Sequence, residues 1–387
     1  MQRNLRMLSG SVLYLFLACH LLNMAFGLIS VDAVEAARTY LTKPWATPPL
    51  AQFLGLCLLI HLVLGLAAIY RRNTLRMSGY DSVQLVSGLL VIPLLASHFV
   101  GIWAAKNLYG FDPTYRIILS YFWMDAPAEG LRQVIVVVVA WLHGSIGMFS
   151  WLRLKASWDR LSLFIYPLVV AVPVLALVGF VDAGNQVIAE RQAAMEQSAD
   201  NQPAQDYTQE EIEEMEAAAA QRNDEIQRNM ALQSRIVWTT IIVYLVLTAA
   251  TFIARAVRLY HARQRTVSVR YLHGPTFSTP VGANMLEIAR LHDVPHANLC
   301  RGRGRCGTCR IRVLEADPSL PDAGKVEAAT LARLKLGPDI RLACQVMPTA
   351  GELVVERLVA PDIDPAELHL EPDTSDNDNA VPETAGA

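Results

Sequence analysis

The chain has 387 residues, of which 53% are hydrophobic and only 18% are charged, a balance that is unusual for a soluble protein. Its length suggests two or three domains, and its net charge of -3 gives no reason to expect a nucleic-acid partner. Six cysteines are present, but four of them lie close together near the C-terminus, which excludes the even spread of a disulfide framework.

Six apolar runs approach the length of about 20 residues that a helix needs to cross a bilayer. A buried soluble helix could explain one run, but not six with segments such as VIVVVVAWL. The first run is not a signal peptide, because it is long, contains Cys19 and His20, and lacks a small-residue cleavage pattern after it. The predicted transmembrane helices lie at about 8–29, 50–70, 84–105, 131–151, 163–182 and 236–257.

Basic residues are concentrated at the N-terminus, in alternate loops and after the sixth run, as at Arg71, Arg153 and Arg255. Because cytoplasmic loops carry the excess of Lys and Arg, both termini are expected on the cytoplasmic side of a bacterial inner membrane. The acidic loop 183–235 is rich in helix-forming residues, so it is expected to form a periplasmic helical insertion. A solvated charged spacer is the favoured role for this loop, ahead of a binding surface.

Each of the first four runs carries one histidine, and ionisable residues inside membrane helices usually have a function. A rise of about 1.5 Å per residue sorts the four by depth into an inner pair, His61 with His143, and an outer pair, His20 with His98. Two imidazoles at one depth on different helices suit a haem between them, so two haems b are predicted. Interhelical hydrogen bonding and proton relay are the alternatives, but relays usually also recruit Asp or Glu, which the middles of these helices lack.

This histidine pattern resembles the dihaem cytochrome b anchors of succinate dehydrogenases and fumarate reductases. In that family the histidines of the first four helices pair one with three and two with four, which implies two b-type haems here. The resemblance is architectural and rests on four residues. It departs in helix number, since those anchors usually have five helices and this chain has six predicted ones.

The stretch CRGRGRCGTC (300–309) holds three cysteines, and Cys344 completes the pattern C-x5-C-x2-C-x34-C. Three thiolates on one loop can wrap a small anionic cluster, because Gly302, Gly304 and Gly307 allow positive φ angles and close backbone approach. A four-cysteine zinc site is the rival, but zinc sites usually use two C-x2-C pairs and only one is present. The predicted [2Fe–2S] ligands are Cys300, Cys306, Cys309 and Cys344.

The cysteine spacing resembles that of plant-type [2Fe–2S] ferredoxins, with one extra residue in the first gap as in the adrenodoxin-like branch. It also resembles the ferredoxin domains of bacterial reductases, whose loops read C-G-G-x-G-x-C-G-x-C, although Arg301 replaces the first glycine here. Hydrophobic patterning around the loop fits a ferredoxin β-grasp over about 266–358. It predicts strands at 266–272, 310–315 and 352–358 and helices at 283–294 and 326–336. The acidic tail, 359–387, is expected to be disordered.

These features predict an all-α membrane bundle of six helices over 1–260, followed by a small α+β ferredoxin-like β-grasp domain over 266–358. The expected function is electron transfer between the cytoplasmic cluster and the membrane haems, as a component of an oxidoreductase rather than a stand-alone enzyme. No flavin or nicotinamide fingerprint is visible, so a cytoplasmic reductase or electron carrier is expected to load the cluster. Quinone is a candidate partner on the membrane side.

The layout also resembles the membrane anchor of certain bacterial class III adenylate cyclases, in which a six-helix domain with a ferredoxin domain precedes the cyclase. The chain ends soon after the ferredoxin-like region, so cyclase activity is not expected. The resemblance implies an alternative function, a redox-sensing module that regulates a separate signalling enzyme.

Overall fold

The computed structural model describes residues 2–75, 77–153, 157–200, 208–262 and 265–363. The tail predicted to be disordered, 359–387, therefore lies outside the described residues from position 364 onward. The chain divides near Arg255 into two compact units. The first is helical and holds the apolar runs, and the second is a smaller α/β unit that holds the four clustered cysteines.

The helical unit consists of six long helices and two short ones within the described ranges. In chain order they are α1 (Gln2–Ala25), α2 (Val31–Leu41), α3 (Leu50–Arg71), α4 (Gly79–Asn107), α5 (Tyr115–Ser120), α6 (Pro127–Leu152), α7 (Trp158–Asp200) and α8 (Gln209–Ala262). All except α2 and α5 are long and apolar enough to cross a membrane, so the six-helix prediction is confirmed. Most of these helices extend beyond the predicted apolar runs, because polar residues at both ends continue the helical backbone.

The two short helices were not predicted, because they are too short and too polar to stand out as apolar runs. Each begins at a hydroxyl cap, where Ser30 accepts from the Ala33 N–H at 3.0 Å and Thr114 accepts from the Ile117 N–H at 3.4 Å. Their apolar residues join a buried cluster with the middle of α7. They are therefore packed parts of the helical unit rather than open loops.

The predicted insertion 183–235 continues the two long helices on either side. The helix that contains the fifth span runs on to Asp200, and the next helix begins at Gln209, well before the sixth span. The connecting residues 201–207 lie outside the described part of the chain. The acidic and alanine-rich sequence over 209–235 has strong helix propensity, which accounts for the uninterrupted helix.

Two prolines inside the spans leave main-chain carbonyls that side chains of neighbouring helices satisfy. Pro173 in α7 has no N–H for the carbonyl four residues before it, and Trp141 of α6 donates its Nε1–H to that oxygen at 2.7 Å. Pro93 in α4 likewise frees the Leu89 carbonyl, which accepts the Tyr244 hydroxyl of α8 at 3.0 Å. Since an unpaired carbonyl is costly in lipid, these bonds stabilise the bundle where its helices are interrupted.

Large apolar side chains remain exposed along the long helices. Leu163, Phe164 and Ile253, for example, are 73%, 70% and 65% exposed. A soluble protein rarely exposes continuous apolar surface of this kind, whereas a lipid-facing helix requires it. The surface of the helical unit therefore agrees with the composition of its spans.

The α/β unit contains five strands and two helices within the described residues. In chain order they are β1 (Thr266–Tyr271), β2 (Thr276–Pro280), α9 (Met285–Leu291), β3 (Arg310–Asp317), α10 (Lys325–Arg333), β4 (Ile340–Leu342) and β5 (Glu352–Arg357). The strands form one mixed sheet in the order β2-β1-β5-β3-β4, in which only β1 and β5 run parallel and the other neighbours are antiparallel. This small mixed domain after a helical region confirms the predicted fold class.

Two of the strands were not predicted from the sequence. The strand β2 has the sequence TFSTP, which lacks a clear alternation and ends in proline, and β4 has only three residues. Both are edge strands, where proline and short length are common. The core lies between the sheet and α9, and its most deeply buried side chains are Met285, Ile288, Ile311 and Leu353.

Candidate functional site

The cysteine loop connects α9 to β3 and carries Cys300, Cys306 and Cys309. Gly302, Gly304 and Gly307 have φ angles of 78°, 65° and 73°. These left-handed positions favour glycine and let the main chain curl closely around the inside of the loop. Arg301 has a φ of 55° as well, so the one departure from the glycine pattern occupies a backbone conformation that glycine would adopt more easily.

The four predicted ligands meet as two pairs. The thiol of Cys306 donates a hydrogen bond to the sulfur of Cys300, and the thiol of Cys309 donates one to Cys344. Among the residues that the structure describes, no three His, Cys, Asp or Glu side chains converge on a point where they could hold a single metal ion. Two pairs of thiols match the two irons of a [2Fe–2S] cluster, each of which takes two thiolates.

Main-chain N–H groups of the loop point at the sulfurs. The Arg303 N–H donates to Sγ of Cys300 at 3.3 Å, and the Cys300 N–H lies 3.4 Å from Sγ of Cys306. The Gly304 N–H donates to Sγ of Cys344. Such donors stabilise negative charge on thiolate sulfur, so the loop is prepared for an anionic cluster.

Two polar side chains complete the lining of the site. Thr308 is buried, with its hydroxyl 3.0 Å from Sγ of Cys306 and accepting the Leu299 N–H at 3.2 Å. The amide of Gln345 lies 3.5 Å from Sγ of Cys344. Neither residue was predicted from the sequence, where their only signal is that each lies next to a cysteine.

Each cysteine pair contains one thiol of low pKa and one of high pKa. The hydrogen bond from Cys306 lowers the pKa of Cys300 and raises the pKa of Cys306. The bond from Cys309 likewise lowers the pKa of Cys344 and raises that of Cys309. The thiolate is the metal-binding form, so one sulfur of each pair already favours it.

Cys344 reaches the loop through main-chain contacts of the segment that follows β4. The Ala343 N–H donates to the Cys309 carbonyl at 2.9 Å. The first N–H groups of a helix have no partner within the helix, and here the Leu286 N–H of α9 donates to the Ala343 carbonyl at 2.9 Å. The helix start thereby fixes the main chain on which the fourth cysteine stands.

A buried ion pair also fixes β4, the strand that precedes Cys344. Glu327 of α10 is only 1% exposed and accepts two hydrogen bonds from the guanidinium of Arg341, at 3.0 Å and 2.9 Å. A third bond comes from the Leu342 N–H at 2.7 Å. The pair fixes β4 just before Cys344, and nothing in the helical pattern of 326–336 had indicated that this glutamate is buried.

The four membrane histidines also meet as two pairs. The ring centres of His20 and His98 are 6.1 Å apart, and those of His61 and His143 are 6.2 Å apart. These are the same pairs that the depth count grouped, one from α1 with α4 and one from α3 with α6. Residues far apart in the sequence are thus brought together inside the helical unit.

A main-chain carbonyl holds each ring of the inner pair. Nδ1 of His61 lies 3.1 Å from the Arg6 carbonyl, and Nδ1 of His143 lies 2.9 Å from the Gln84 carbonyl. A carbonyl oxygen only accepts, so Nδ1 donates in both rings and Nε2 keeps its lone pair. This is the tautomer in which an imidazole can bind a metal through Nε2.

The histidines of the α/β unit have packing contacts instead. His292 stacks on Phe277 with ring centres 3.9 Å apart, and Nε2 of His296 lies 2.9 Å from the Tyr271 hydroxyl. Burial lowers the pKa of His296 to about 4, with a further lowering by the nearby positive charge of Arg357. These contacts make His292 and His296 packing residues of the domain.

Comparison with known proteins identifies the second unit. Residues 271–349 match the family described as the 2Fe-2S iron-sulfur cluster binding domain. The C-terminal unit is therefore a [2Fe–2S] ferredoxin domain, and the prediction of an iron–sulfur cluster is confirmed for it.

Relatives share this region with the chain. Two of them are the subunit designated F of Na(+)-translocating NADH-quinone reductase in Yersinia pestis (strain Pestoides F) and its counterpart in Yersinia pseudotuberculosis serotype O:1b (strain IP 31758). Each is 29% identical over 111 residues, or 29% of this chain, and the match spans about a quarter, 26%, of the length of these relatives. The crystal structure of the ISC-like [2Fe-2S] ferredoxin (FdxB) from Pseudomonas putida JCM 20004 is 27% identical, with a TM-score of 0.23, over 26% of this chain and 97% of that chain.

Proposed function

We propose that the protein transfers electrons between a [2Fe–2S] cluster in its ferredoxin domain and two haems b held by the first four spans. One observation carries this proposal: eight candidate ligands meet two by two, although most partners are distant in the sequence. The cluster ligands are Cys300, Cys306, Cys309 and Cys344. The haem ligands are His61 with His143 for the inner haem and His20 with His98 for the outer haem.

The cysteine pairs fit the cluster in number, spacing and charge. One iron would be held by Cys300 and Cys306 and the other by Cys309 and Cys344, because these are the pairs whose sulfurs share a hydrogen bond. The N–H groups of Arg303 and other loop residues stabilise the thiolates when the cysteines lose their protons. The loop therefore supplies three of the four ligands together with the charge compensation.

The separation of the two rings in each histidine pair fits one metal ion between them. A metal–imidazole bond is about 2.0–2.1 Å, and a ring centre lies roughly 1 Å behind its nitrogen, so two rings that would share one metal ion would have centres up to about 6 Å apart. The separations of 6.1 Å and 6.2 Å agree with that distance. The carbonyl acceptors at Nδ1 of the inner rings leave Nε2 of both histidines available as a ligand atom.

When bound, the cluster and each haem take up and release single electrons. The chain's own residues hold these groups at fixed positions, and the apolar side chains of the spans keep water away from the histidines. The distribution of basic residues supports cytoplasmic termini in a bacterial inner membrane. On that topology His61 and His143 form the pair nearer the cytoplasm and would hold the inner haem, and His20 and His98 would hold the outer haem.

The partners follow from the same reasoning. The relatives with a similar ferredoxin region are named as subunits of a NADH-quinone reductase. By analogy, a cytoplasmic reductase or electron carrier exchanges electrons with the cluster of this chain, and quinone is the candidate partner of the haems. The redox-sensing module that acts on a separate signalling enzyme stays a prediction, since no contact among the described residues favours it.

The test is a cofactor inventory of the full chain, purified in detergent. Non-haem iron, acid-labile sulfide, zinc and haem b are measured per chain, with optical and EPR spectra of the oxidised and reduced protein. The proposal expects one [2Fe–2S] cluster and two low-spin haems b. Zinc in place of iron would refute the cluster assignment, and a chain with the cluster but without haem would refute the histidine assignment.

A further inference from the structure

A glycine of a neighbouring helix lies directly against each ring of the inner histidine pair. A Cβ on Gly10 of α1 would lie 2.7 Å from Cε1 of His61, and a Cβ on Gly88 of α4 would lie 2.6 Å from Cε1 of His143. Both distances are far inside van der Waals contact. Because Cε1 lies between the two ring nitrogens, any side chain at these positions would displace the ring from its carbonyl partner.

The two contacts are copies of one arrangement. In each case the glycine lies four residues after the residue whose carbonyl accepts the Nδ1–H of the histidine. A serine lies between that residue and the glycine in the sequence. The serine hydroxyls lie 3.5 Å and 3.4 Å from Nδ1 of the respective rings. The carbonyl, serine and glycine residues are Arg6, Ser9 and Gly10 in α1 and Gln84, Ser87 and Gly88 in α4.

The sequence similarity between the two arrangements includes all four membrane histidines. Both α1 and α4 read Ser-Gly-x9-His, which ends at His20 and His98, and both α3 and α6 read His-x3-Gly from His61 and His143. The helices α1 with α3, and α4 with α6, are thus two versions of one two-helix unit. Each histidine pair takes one ring from each version.

Within the described residues, the outer pair lacks this combination of a main-chain acceptor and a contacting glycine. The ring of His20 lies near Phe16 and His98, and within the described ranges neither outer ring forms a hydrogen bond. Only the inner rings have both a main-chain acceptor at Nδ1 and a glycine against Cε1. The repeated sequence therefore builds two different kinds of pair, one with fixed rings and one held by packing.

We propose that Gly10 and Gly88 are positioning residues of the inner site. They let His61 and His143 seat against the Arg6 and Gln84 carbonyls, so that both rings present Nε2 from equivalent positions of the two copies. This inference rests on the proposed function, because the metal that Nε2 would bind is the inner haem. Gly10 and Gly88 do not contact the outer pair, so their effect is confined to one of the two haems.

The test compares Gly10→Ala and Gly88→Ala with Gly55→Ala in the full-length protein. Gly55 lies in α3, the helix of His61, and a Cβ there would meet no atom within 4 Å. Haem content, low-spin EPR g-values and the midpoint potential of each haem are measured. The EPR signal of the ferredoxin cluster in the same sample reports whether the ferredoxin domain has folded, and the signal of the other haem reports whether the helical unit has folded.

Either glycine variant is expected to remove or shift the signal of one haem, leaving the other haem and the cluster unchanged. Gly55→Ala is expected to match the unmodified protein. Two normal haems in both glycine variants, or loss of both haems together, would overturn the inference while leaving the proposed function intact. An unmodified protein without haem would instead overturn the proposed function, and this inference with it.

Discussion

The cysteine site and the histidine pairs both hold their ligands two by two, but the chain builds them in opposite ways. Three of the four cysteines lie on one loop, Cys300–Cys309, whose left-handed backbone positions already shape the site. The four histidines lie on four different helices and meet only when those helices pack. A site built locally survives transfer between proteins, whereas a site assembled by packing depends on the whole bundle.

The region of the chain that matches a known family contains the locally built site. The family match covers the loop and the strands around it, 271–349, and the relatives share the same region. The two kinds of site should also respond differently to substitution. The cysteine site should respond as one unit, because all four ligands share one cluster, whereas the histidine pairs should respond independently of each other.

The largest effect is expected for Cys306→Ala. This change removes one ligand of the first pair, so loss of nearly all of the [2Fe–2S] signal is expected, on the order of tenfold or more. The matched control is Cys57→Ala, because Cys57 is a buried free cysteine in α3. Iron and sulfide analysis with EPR measures the outcome. A full cluster in Cys306→Ala would remove this residue from the site.

The next largest effect is expected on the haem content when one membrane histidine is replaced. His98→Ala is expected to remove about half of the haem per chain, because one pair loses a ligand and the other keeps both. The control is His273→Ala, an exposed residue between β1 and β2. Pyridine haemochrome analysis gives the haem content. Loss of all haem with an intact cluster would show that the two pairs are not independent.

A third change tests the long-range support of the cysteine site. Glu327→Ala leaves the largely buried guanidinium of Arg341 without its carboxylate partner and the Leu342 N–H without its acceptor, and a loss of about 3 kcal/mol in the free energy of unfolding of the ferredoxin domain is expected. In Glu315→Ala only an exposed ion pair with Arg270, at 3.6 Å, is lost, for about 0.5 kcal/mol or less. Denaturant titration followed by cluster absorbance measures both variants, and equal stabilities would contradict the role of the buried pair.

The fourth expected effect depends on pH and concerns the packing of His296 against Tyr271. Burial lowers the pKa of His296 from 6.5 to about 4, so the unfolded state binds a proton at a higher pH than the folded state does. Stability is therefore unaffected above about pH 6.5 and falls as the pH drops toward 4, by on the order of 1–3 kcal/mol. His296→Gln should flatten this pH dependence. An identical profile in the variant would assign the acid sensitivity to other groups.

The smallest effect concerns the departure from the glycine pattern in the loop. Arg301→Gly relieves a left-handed backbone position, and after the entropy cost of an added glycine a gain of about 0.5 kcal/mol is expected. Arg305→Gly, at a loop position with an ordinary φ, should lower stability by a similar amount. The thermal midpoints of both variants are measured on the protein with its cluster bound. A midpoint for Arg301→Gly that is no higher than that of Arg305→Gly would contradict the expected stabilisation.

The sequence predicts those parts of the molecule that depend on local patterns. The six spans, the strands β1, β3 and β5 and the cysteine spacing are all visible as runs, alternations or motifs within a short window. The edge strands, the burial of Glu327 and the contacts of Thr308 and Gln345 are not visible, because each depends on which residues the fold brings together. The pairs of histidines were accessible through depth counting, because a membrane restricts the helices to nearly parallel directions.

Gly10 and Gly88 show a different limit of prediction from the sequence. Their Ser-Gly-x9-His pattern is present in the sequence, but its meaning depends on the carbonyls of Arg6 and Gln84 facing histidines on other helices. A repeat of this kind becomes interpretable only after the paired helices are known. Internal comparison of the two helix pairs would have been the signal to look for.

The central claim is that electrons pass between the cluster and the haems. Its most direct test mixes the detergent-purified protein with NADPH and a catalytic amount of a soluble ferredoxin reductase, and follows haem reduction by stopped-flow absorbance. Unmodified protein and Cys306→Ala are compared at equal haem content. We expect rapid haem reduction only when the cluster is present. Equal rates with and without the cluster would contradict the proposed transfer.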